Sequence, residues 1–242
     1  MRKTTPFVPP AGYDRIKVVD SFDELVTSAF GPKINAICWQ RTLTGDFDEL
    51  AACFSSEEEI ISLDEALLAN LRPGLSALGR VAANVILEDQ RLLRAYGLSP
   101  SLECVPRYQR DETSQVVPTD VYSFHADRAP VAVDTYLCSY NEVATDGLQN
   151  ELAQKRIDIP AIRAELLGVF QQEETADDFD AYLRENCYDL HYAEVGEAAS
   201  FSFVIANLWR IAVEYPDSPV SPCLHRAPKT ILGRPPRLLL IS

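Results

Sequence analysis

Residues Tyr122–Asp127 read YSFHAD, and the order of the chain around this stretch decides the fold that we expect. Side chains two positions apart in a β-strand point to the same face, so a strand through His125 and Asp127 offers an imidazole and a carboxylate to one point. A third ligand has to come from elsewhere. The chain has three histidines, and His225 lies in the segment Pro222–Pro228, ahead of the apolar run that ends the sequence.

Two histidines and one carboxylate form a metal site that leaves coordination positions open, and non-haem Fe(II) oxygenases use such positions for a co-substrate and O2. His125, Asp127 and His225 are therefore the candidate Fe(II) ligands and the candidate catalytic centre. A His-x-Asp pattern alone is weak, because a pair at an exposed strand end has the same sequence. The remaining histidine, His191, alternates with apolar residues, which favours a buried histidine with satisfied hydrogen bonds over a contact with substrate.

The order of the neighbouring segments strengthens the metal prediction. Leu102–Tyr108 is predicted to be a strand, and after the His-x-Asp strand come a long insertion, His225 and a last apolar strand that opens with Arg237. This order resembles that of the double-stranded β-helix (cupin-like) Fe(II)/2-oxoglutarate oxygenases. In that superfamily an Arg-Tyr strand precedes His-x-Asp, and an arginine after the distal histidine binds the far carboxylate of 2-oxoglutarate.

A narrower resemblance is to the uncharacterised DUF1826 family of bacterial proteins. It rests on Ile37–Arg41 (ICWQR), on Phe124–Asp127 (FHAD) followed by Thr135-Tyr136, and on His225–Pro228 (HRAP) with Arg237–Leu240 (RLLL). These segments are spread over most of the chain but cover few of its residues.

The oxygenase resemblance implies a role for each of these side chains. His125, Asp127 and His225 would hold Fe(II), and Arg237 or Arg234 would bind the far carboxylate of 2-oxoglutarate. We favour Arg237, since it begins a strand that fixes its direction, whereas Arg234 precedes two prolines. A guanidinium suits this task because it stays charged and donates two parallel hydrogen bonds to a carboxylate.

Five further residues are candidates for contact with the co-substrate or the substrate. Tyr108 and Tyr136 are predicted to line the 2-oxoglutarate pocket, with ordinary aromatic core as the alternative. Arg107, Arg226 and Tyr122 are candidate substrate-binding residues. The resemblance implies that 2-oxoglutarate is decarboxylated to succinate while O2 oxidises a substrate by hydroxylation, desaturation or ring closure. The arginines near the site favour a small polar metabolite with a carboxylate, such as an amino acid or its derivative.

The composition favours a small-molecule substrate over a polyanion. The chain of 242 residues carries a formal net charge of −14, which argues against binding to nucleic acid and to anionic membrane surfaces. No apolar run approaches the roughly twenty residues of a membrane span, and no secretory signal is visible. The six cysteines stand singly, which is typical of reduced, buried thiols and of a cytoplasmic protein.

We predict an α+β fold in one domain, residues 1–242. Residues 1–100 form mainly helical support, and residues 101–242 form a jelly-roll barrel, the double-stranded β-helix, with a helical insertion at about 148–187. Within the insertion, Leu148–Arg156, Ile159–Gln171 and Ala176–Asn186 are predicted helices. An insertion of this length is typical of a lid or a homodimer surface.

Two alternatives from other functional classes stay open. The barrel could be a non-catalytic module that binds a metal or ligand and has lost co-substrate binding. It could also be a cupin-type metalloenzyme that works without 2-oxoglutarate. The side chain of Arg237 distinguishes these alternatives from the oxygenase, since only the oxygenase needs it to hold a carboxylate.

Overall fold

The fold is mixed α/β. A computed structural model describes residues 6–54, 60–110, 116–170, 176–196, 200–231 and 233–242, and the predicted insertion is therefore described without its residues 171–175. The described residues form two β-sheets and six α-helices. The helices are α1 (Phe22–Thr27), α2 (Phe47–Ala52), α3 (Glu65–Leu71), α4 (Ala77–Ala95), α5 (Pro160–Phe170) and α6 (Ala176–Glu185).

Thirteen strands make up the sheets within the described residues. They are β1 (Ile16–Val19), β2 (Ala36–Trp39), β3 (Ile61–Ser62), β4 (Ser101–Val105), β5 (Phe124–His125), β6 (Asp134–Ser139), β7 (Asp146–Leu148), β8 (Ala153–Lys155), β9 (His191–Glu194), β10 (Ser200–Ser202), β11 (Leu208–Ala212), β12 (Leu224–Arg226) and β13 (Arg237–Ile241). The seven-stranded sheet has the order β1-β2-β11-β6-β13-β4-β3, and the six-stranded sheet has the order β10-β7-β12-β5-β9-β8.

The seven-stranded sheet draws on both halves of the chain. Strand β1 pairs in parallel with β2 at one edge, and β3 lies at the other edge. The first hundred residues therefore contribute three strands to this sheet as well as helices. Their helices pack on one face of the sheet, where Ile86 and Leu93 of α4 meet Cys138 and Leu240 in a common hydrophobic core.

The helical half follows its sequence signals closely. Ser21 accepts a hydrogen bond from the backbone N–H of Glu24 and so caps α1, as a capping residue should. Asp64 caps α3 in the same way through the N–H of Leu67. Pro73 interrupts the helical run, since a 3-10 turn over Arg72–Gly74 separates α3 from α4.

A buried ion pair fastens α4 to this sheet. The guanidinium of Arg41, just after β2, donates to both carboxylate oxygens of Asp89 on α4, at 2.6 Å each. The hydroxyl of Tyr140 donates to the same carboxylate at 2.7 Å, and the carbonyl of Ala206 accepts from Nε of Arg41. Because both charges and most of their hydrogen-bonding positions are satisfied, this pair can remain buried at low cost.

Side chains alternate across β6 and β13, and this alternation separates the helix side of the sheet from the other side. Tyr136, Cys138, Leu238 and Leu240 belong to the core under the helices. Leu137 and Leu239 belong to a second core on the opposite face, together with Phe203 and Trp209. The side chains that precede and follow Leu137 on that opposite face, Thr135 and Ser139, carry hydroxyl groups.

The first part of the predicted helical insertion is wrong. Leu148–Arg156 was predicted to be a helix, but Leu148 ends β7 and residues 153–155 form β8, with a short 3-10 turn between them. Pairing of β7 with β12 and of β8 with β9 supplies the backbone hydrogen bonds that a helix would have made internally. The other two predicted helices are confirmed as α5 and α6.

The six cysteines are free, as the sequence predicted. Four are buried, namely Cys38, Cys104, Cys138 and Cys223. Cys53 and Cys187 are exposed, so the prediction of burial is wrong for these two.

Candidate metal centre

His125, Asp127 and His225 come together in the structure. His125 on β5 and His225 on β12 are direct partners in the antiparallel register of the two strands. Asp127 lies two positions beyond His125, just after the end of β5, and turns its carboxylate to the same side. One potential ligand atom from each of the three lies within 4.8 Å of the others. This group, which we call the His-Asp-His triad, could hold a metal ion.

The carboxylate of Asp127 lies between the two imidazoles. Its Oδ1 is 3.9 Å from Nε2 of His125 and 3.7 Å from Nε2 of His225. The two ring centroids are 4.6 Å apart. These separations bring the three ligand atoms to one point without a direct hydrogen bond between them, which leaves each lone pair available for a metal ion.

Each imidazole is oriented by a carbonyl group two residues earlier in the chain. Nδ1 of His125 is 2.8 Å from the carbonyl oxygen of Ser123, and Nδ1 of His225 is 3.4 Å from that of Cys223. A carbonyl oxygen only accepts, so Nδ1 carries the hydrogen and Nε2 keeps its lone pair. Metal-binding histidines are commonly held in this way. Both Nε2 atoms therefore point toward Asp127 in the state that can bind a metal.

The carboxylate of Asp127 is fixed from the neighbouring sheet. Thr135 on β6 donates its hydroxyl hydrogen to Oδ2 of Asp127 at 2.7 Å, leaving Oδ1 toward the imidazoles. Burial raises the pKa of this carboxyl, but the charge of His225, the Thr135 hydrogen bond and the charge of His125 outweigh burial and hold the pKa below its ordinary value. Asp127 is thus ionised at neutral pH.

Burial, followed by the charge of His225, lowers the pKa of His125 to about 4. The imidazole is therefore neutral at neutral pH, and a metal ion does not have to displace a proton from it. A donor set of two imidazoles and one carboxylate is suited to a first-row transition-metal ion.

The third histidine continues the row that His225 and His125 begin. His191 on β9 is the register partner of His125, and their ring centroids are 5.8 Å apart. The predicted burial of His191 is confirmed, since its side chain is only 4% exposed. His191 is not in the His-Asp-His triad, because its ring nitrogens do not come within the same short distances.

Arg237 is buried on the side of β13 that faces away from the helices. Its guanidinium donates to the hydroxyl oxygen of Ser139 at 2.7 Å and to that of Thr145 at 2.6 Å. Burial lowers the pKa of Arg237. Among the described residues, no Asp or Glu lies within ion-pair distance of this guanidinium, so its charge is held by neutral hydroxyl groups.

The strand β7 connects Arg237 to the triad. Thr145, which contacts Arg237, lies two positions before Gly147, and Gly147 is the register partner of His225. Positions two apart along an extended chain are about 6–7 Å apart and share a face. The guanidinium of Arg237 therefore contacts the same face of the six-stranded sheet as His225. Its partner Thr145 lies two residues from Gly147, which is the register partner of His225.

Several predicted site residues share one small pocket with Arg237. Tyr108, Arg107 and Arg234 line it together with Arg237, and the pocket has a volume of about 40 Å³. Tyr122 is fastened to this pocket, since its hydroxyl accepts from the backbone N–H of Tyr108 at 3.1 Å. Of the residues that the structure describes, none of the triad lines this pocket.

Two predicted site residues lie elsewhere. Tyr136 belongs to the core between the seven-stranded sheet and the helices, so the alternative of ordinary aromatic core describes its position. Arg226 follows His225 directly on β12 and so points to the opposite face, where its guanidinium lies 4.1 Å from the ring centroid of Phe124 and 3.2 Å from the carboxylate of Asp146.

A wide cavity of about 960 Å³ reaches Asp127 from solvent. Charged side chains line it, and Arg128 is ion-paired there with both Asp189 and Glu214. Lys155 lies 4.0 Å from the second oxygen of the Glu214 carboxylate. This cavity is large enough for a small metabolite beside the triad.

Sequence reasoning missed the residues that hold the site in place. Thr135 fixes Asp127, and Ser139 and Thr145 fix Arg237, but none of the three was among the predicted site residues. Gly147 was also missed, although a Cβ there would come within 2.3 Å of the ring of Phe201. Small and hydroxylated residues of this kind acquire meaning only when the strands are paired.

Comparison of the chain with models of protein families, with curated protein sequences and with solved structures gives no match. Within the described ranges, no helix combines the length and the apolar character needed to cross a membrane.

Proposed function

We propose that this protein is a non-haem Fe(II)- and 2-oxoglutarate-dependent oxygenase that acts on a small polar metabolite. The observation that carries the proposal is the His-Asp-His triad. Two imidazoles, each fixed through Nδ1 by a backbone carbonyl, direct Nε2 toward one ionised carboxylate. Two histidines and one carboxylate leave positions open for a co-substrate and O2.

The fold proposed with this function is the double-stranded β-helix. Two hydrogen bonds that join the sheets support it, Thr135 to Asp127 and Arg237 to Thr145. Each runs from a strand of the seven-stranded sheet to a residue beside a strand of the six-stranded sheet. These contacts support a position of the triad between two facing sheets, as for a ligand in a small barrel.

Arg237 supports the co-substrate part of the proposal. Hydroxyl groups are the partners of this buried guanidinium among the described residues, and an incoming carboxylate would stabilise it, because opposite charge and hydrogen bonds replace lost hydration. The far carboxylate of 2-oxoglutarate has this chemistry. Tyr108 lies beside the guanidinium and would complete the pocket.

The chain's own residues would bind and orient in this mechanism. Fe(II), when bound by the triad, supplies activation of O2 coupled to oxidative decarboxylation of the 2-oxo acid. Thr135 keeps Oδ2 of Asp127 turned away from the imidazoles. The core around Phe203 and Leu239 excludes water from one side, and the wide cavity at Asp127 admits the substrate from the other. Arg128, Lys155, Asp189 and Glu214 give that cavity the mixed charges suited to an amino acid or its derivative.

A cupin-type metalloenzyme that works without 2-oxoglutarate is the second candidate. It is favoured by the separation of the two sites, since the pocket at Arg237 is small and, in the described chain, has no lining residue from the triad. In that case Arg237 would have a structural role, and substrate alone would meet the metal through the cavity at Asp127.

Succinate formation tests the proposal. Purified protein with Fe(II), ascorbate and 2-oxoglutarate should release succinate in air, and Arg237→Met should reduce this release while Arg234→Met does not. Both variants lose one positive charge, so the pair separates the role of the buried guanidinium from that of net charge. Succinate release that is equal in the wild type and in Arg237→Met would refute the assignment of Arg237, and a protein that binds Fe(II) but makes no succinate with any metabolite pool would favour the second candidate.

A further inference from the structure

A second cavity, of about 690 Å³, adjoins the wide cavity at Asp127. Lys155, Glu214 and Tyr215 line both cavities and so form the junction between them. We propose that the two cavities form one elongated binding site for a short peptide, with its carboxylate at one end and its ammonium group at the other. This inference rests on the proposed function, because it names the substrate class of the same site.

The charged side chains at the junction neutralise one another. Arg128 is ion-paired with Asp189 and with Oε1 of Glu214, and Nζ of Lys155 lies 4.0 Å from Oε2 of Glu214. These two cations and two carboxylates leave no net charge between the cavities. The middle of a ligand that crosses the junction should therefore be polar but uncharged, as the backbone of a peptide is.

Beyond the junction the two cavities differ in charge. Arg184 lines the cavity at Asp127, and Asp217 lines the second cavity. Neither of them forms an ion pair within the part of the chain that the structure describes. Arg15 and Glu151, which also line the second cavity, pair with each other at 2.6 Å. With Asp127 assigned to the metal, one cavity offers a cation and the other a carboxylate, which suits a ligand with opposite charges at its two ends.

The second cavity also contains a buried hydroxyl group that a ligand could satisfy. Tyr192 lines this cavity and is only 9% exposed, and its hydroxyl makes no hydrogen bond to another described residue. Burial, and after it the charge of Glu214, raises the pKa of Tyr192, so the hydroxyl keeps its proton and can donate it. A buried tyrosine hydroxyl usually has a partner. A peptide carbonyl in the cavity would supply the missing acceptor.

The size of the site fits a peptide better than a free amino acid. The cavity at Asp127 alone, at about 960 Å³, lies near the upper end of the roughly 300–1,000 Å³ range of pockets for drug-sized ligands. An extended tripeptide spans about 10 Å, so its terminal charges can lie on the two sides of the junction. In an α-amino acid one carbon atom separates the two charged groups, and both would lie in one cavity.

Titration calorimetry of the full chain without added metal, at low ionic strength, tests the inference with trialanine as the probe. Alanine, N-acetyltrialanine and trialanine amide are the comparison ligands, which lack the length, the ammonium group and the carboxylate of the probe, respectively. We expect trialanine to bind about tenfold more tightly than alanine, and about threefold or more tightly than each blocked peptide.

Single substitutions assign the two ends of the site. Asp217→Asn should weaken trialanine about threefold but leave N-acetyltrialanine unchanged, and Arg184→Gln should weaken trialanine about threefold but leave trialanine amide unchanged. Asp23→Asn on α1 and Arg94→Gln on α4 make the same changes of charge at exposed positions, and these matched controls should bind as the wild type does. Tyr192→Phe should weaken all three peptides about threefold.

Trialanine that does not bind, or binds no more tightly than alanine, would overturn the inference. Losses in Asp217→Asn and Arg184→Gln no larger than in their controls would overturn it as well. Both positions are exposed, so these variants should fold as the wild type does. Failure of the proposed function is measured separately, as the absence of succinate formation. A chain that binds trialanine by both ends but makes no succinate would retain the elongated site and lose the oxygenase.

Discussion

Arg41 and Arg237 both have side chains that are largely enclosed by the described part of the protein, and their surroundings differ in one respect. Arg41 donates to both oxygens of Asp89, so its charge is balanced within the protein. Arg237 donates to the hydroxyls of Ser139 and Thr145, and no carboxylate of the described residues pairs with it. Both guanidinium groups donate hydrogen bonds, but among the described residues only that of Arg41 has a carboxylate partner.

The difference separates a structural arginine from a binding arginine. A buried charge with a partner joins elements of the fold, as Arg41 joins β2 to α4. A buried charge without one costs free energy that a ligand of opposite charge can recover. Removal of the counter-charge of Arg41 should therefore lower stability, whereas removal of the Arg237 guanidinium should weaken binding with little loss of stability.

The largest effect is expected at the balanced pair. Asp89→Asn leaves Arg41 buried without a counter-charge and should lower the free energy of unfolding by about 3–5 kcal/mol. Urea denaturation followed by circular dichroism measures this loss. The double variant Arg41→Met/Asp89→Leu should recover most of it, because no charge remains buried. A loss below about 1 kcal/mol in Asp89→Asn would mean that Arg41 is not held as the structure indicates.

Acid should lower the free energy of unfolding of the metal-free protein through His125 of the triad. The pKa of His125 is lowered to about 4 in the folded chain, below the ~6.5 of an unfolded chain. The unfolded chain therefore takes up this proton at the higher pH, and the free energy of unfolding of the metal-free protein should fall as pH drops from ~6.5 to ~4, by on the order of 3 kcal/mol. His125→Gln should flatten this part of the pH profile, and an unchanged slope would contradict the assignment.

Arg237→Met should affect binding more than stability. We expect the affinity for 2-oxoglutarate to fall about 10- to 100-fold, since hydrogen bonds to a charged group are lost. The free energy of unfolding should stay within ~1 kcal/mol of the wild type or rise, because a buried uncompensated charge is removed. Equilibrium binding and urea denaturation of the same preparation give both values. A loss of several kcal/mol with unchanged affinity would make Arg237 a structural residue like Arg41.

The smallest effect is expected at Thr145. Thr145→Val keeps the shape of the side chain but removes the acceptor for a buried guanidinium N–H, which should cost about 1–2 kcal/mol in the free energy of unfolding. Thr145→Ser retains the hydroxyl and serves as the control. In the background of Arg237→Met the cost of Thr145→Val should disappear, and an unchanged cost there would show that the hydroxyl stabilises the protein by another route.

The triad could be predicted from the sequence because His125 and Asp127 form a His-x-Asp pattern and the chain has few other histidines. His125 and Asp127 are two positions apart, and the chain offered two other histidines. The register that opposes His225 to His125 could not be predicted, because pairing of strands a hundred residues apart depends on the whole fold.

Other predictions failed for identifiable physical reasons. Tyr136 was predicted to line the pocket, but its side chain packs in the core under the helices. Alternation along β6 puts Tyr136 and Thr135 on opposite faces, but it does not show which face meets the helices. Leu148–Arg156 has helix-forming residues, but pairing with β12 and β9 overrode that preference. The position of Arg226, by contrast, could have been predicted, since a neighbour of His225 on a strand must point to the other face.

Binding of Fe(II) to the His-Asp-His triad is the central claim, and metal content after anaerobic loading tests it most directly. His225→Ala removes one ligand, and His191→Ala removes a buried histidine of the same row that lies outside the triad. We predict about one Fe(II) per chain in the wild type and in His191→Ala, and a loss of about tenfold or more in affinity for His225→Ala. Full retention of Fe(II) by His225→Ala, or an equal loss in both variants, would contradict this account.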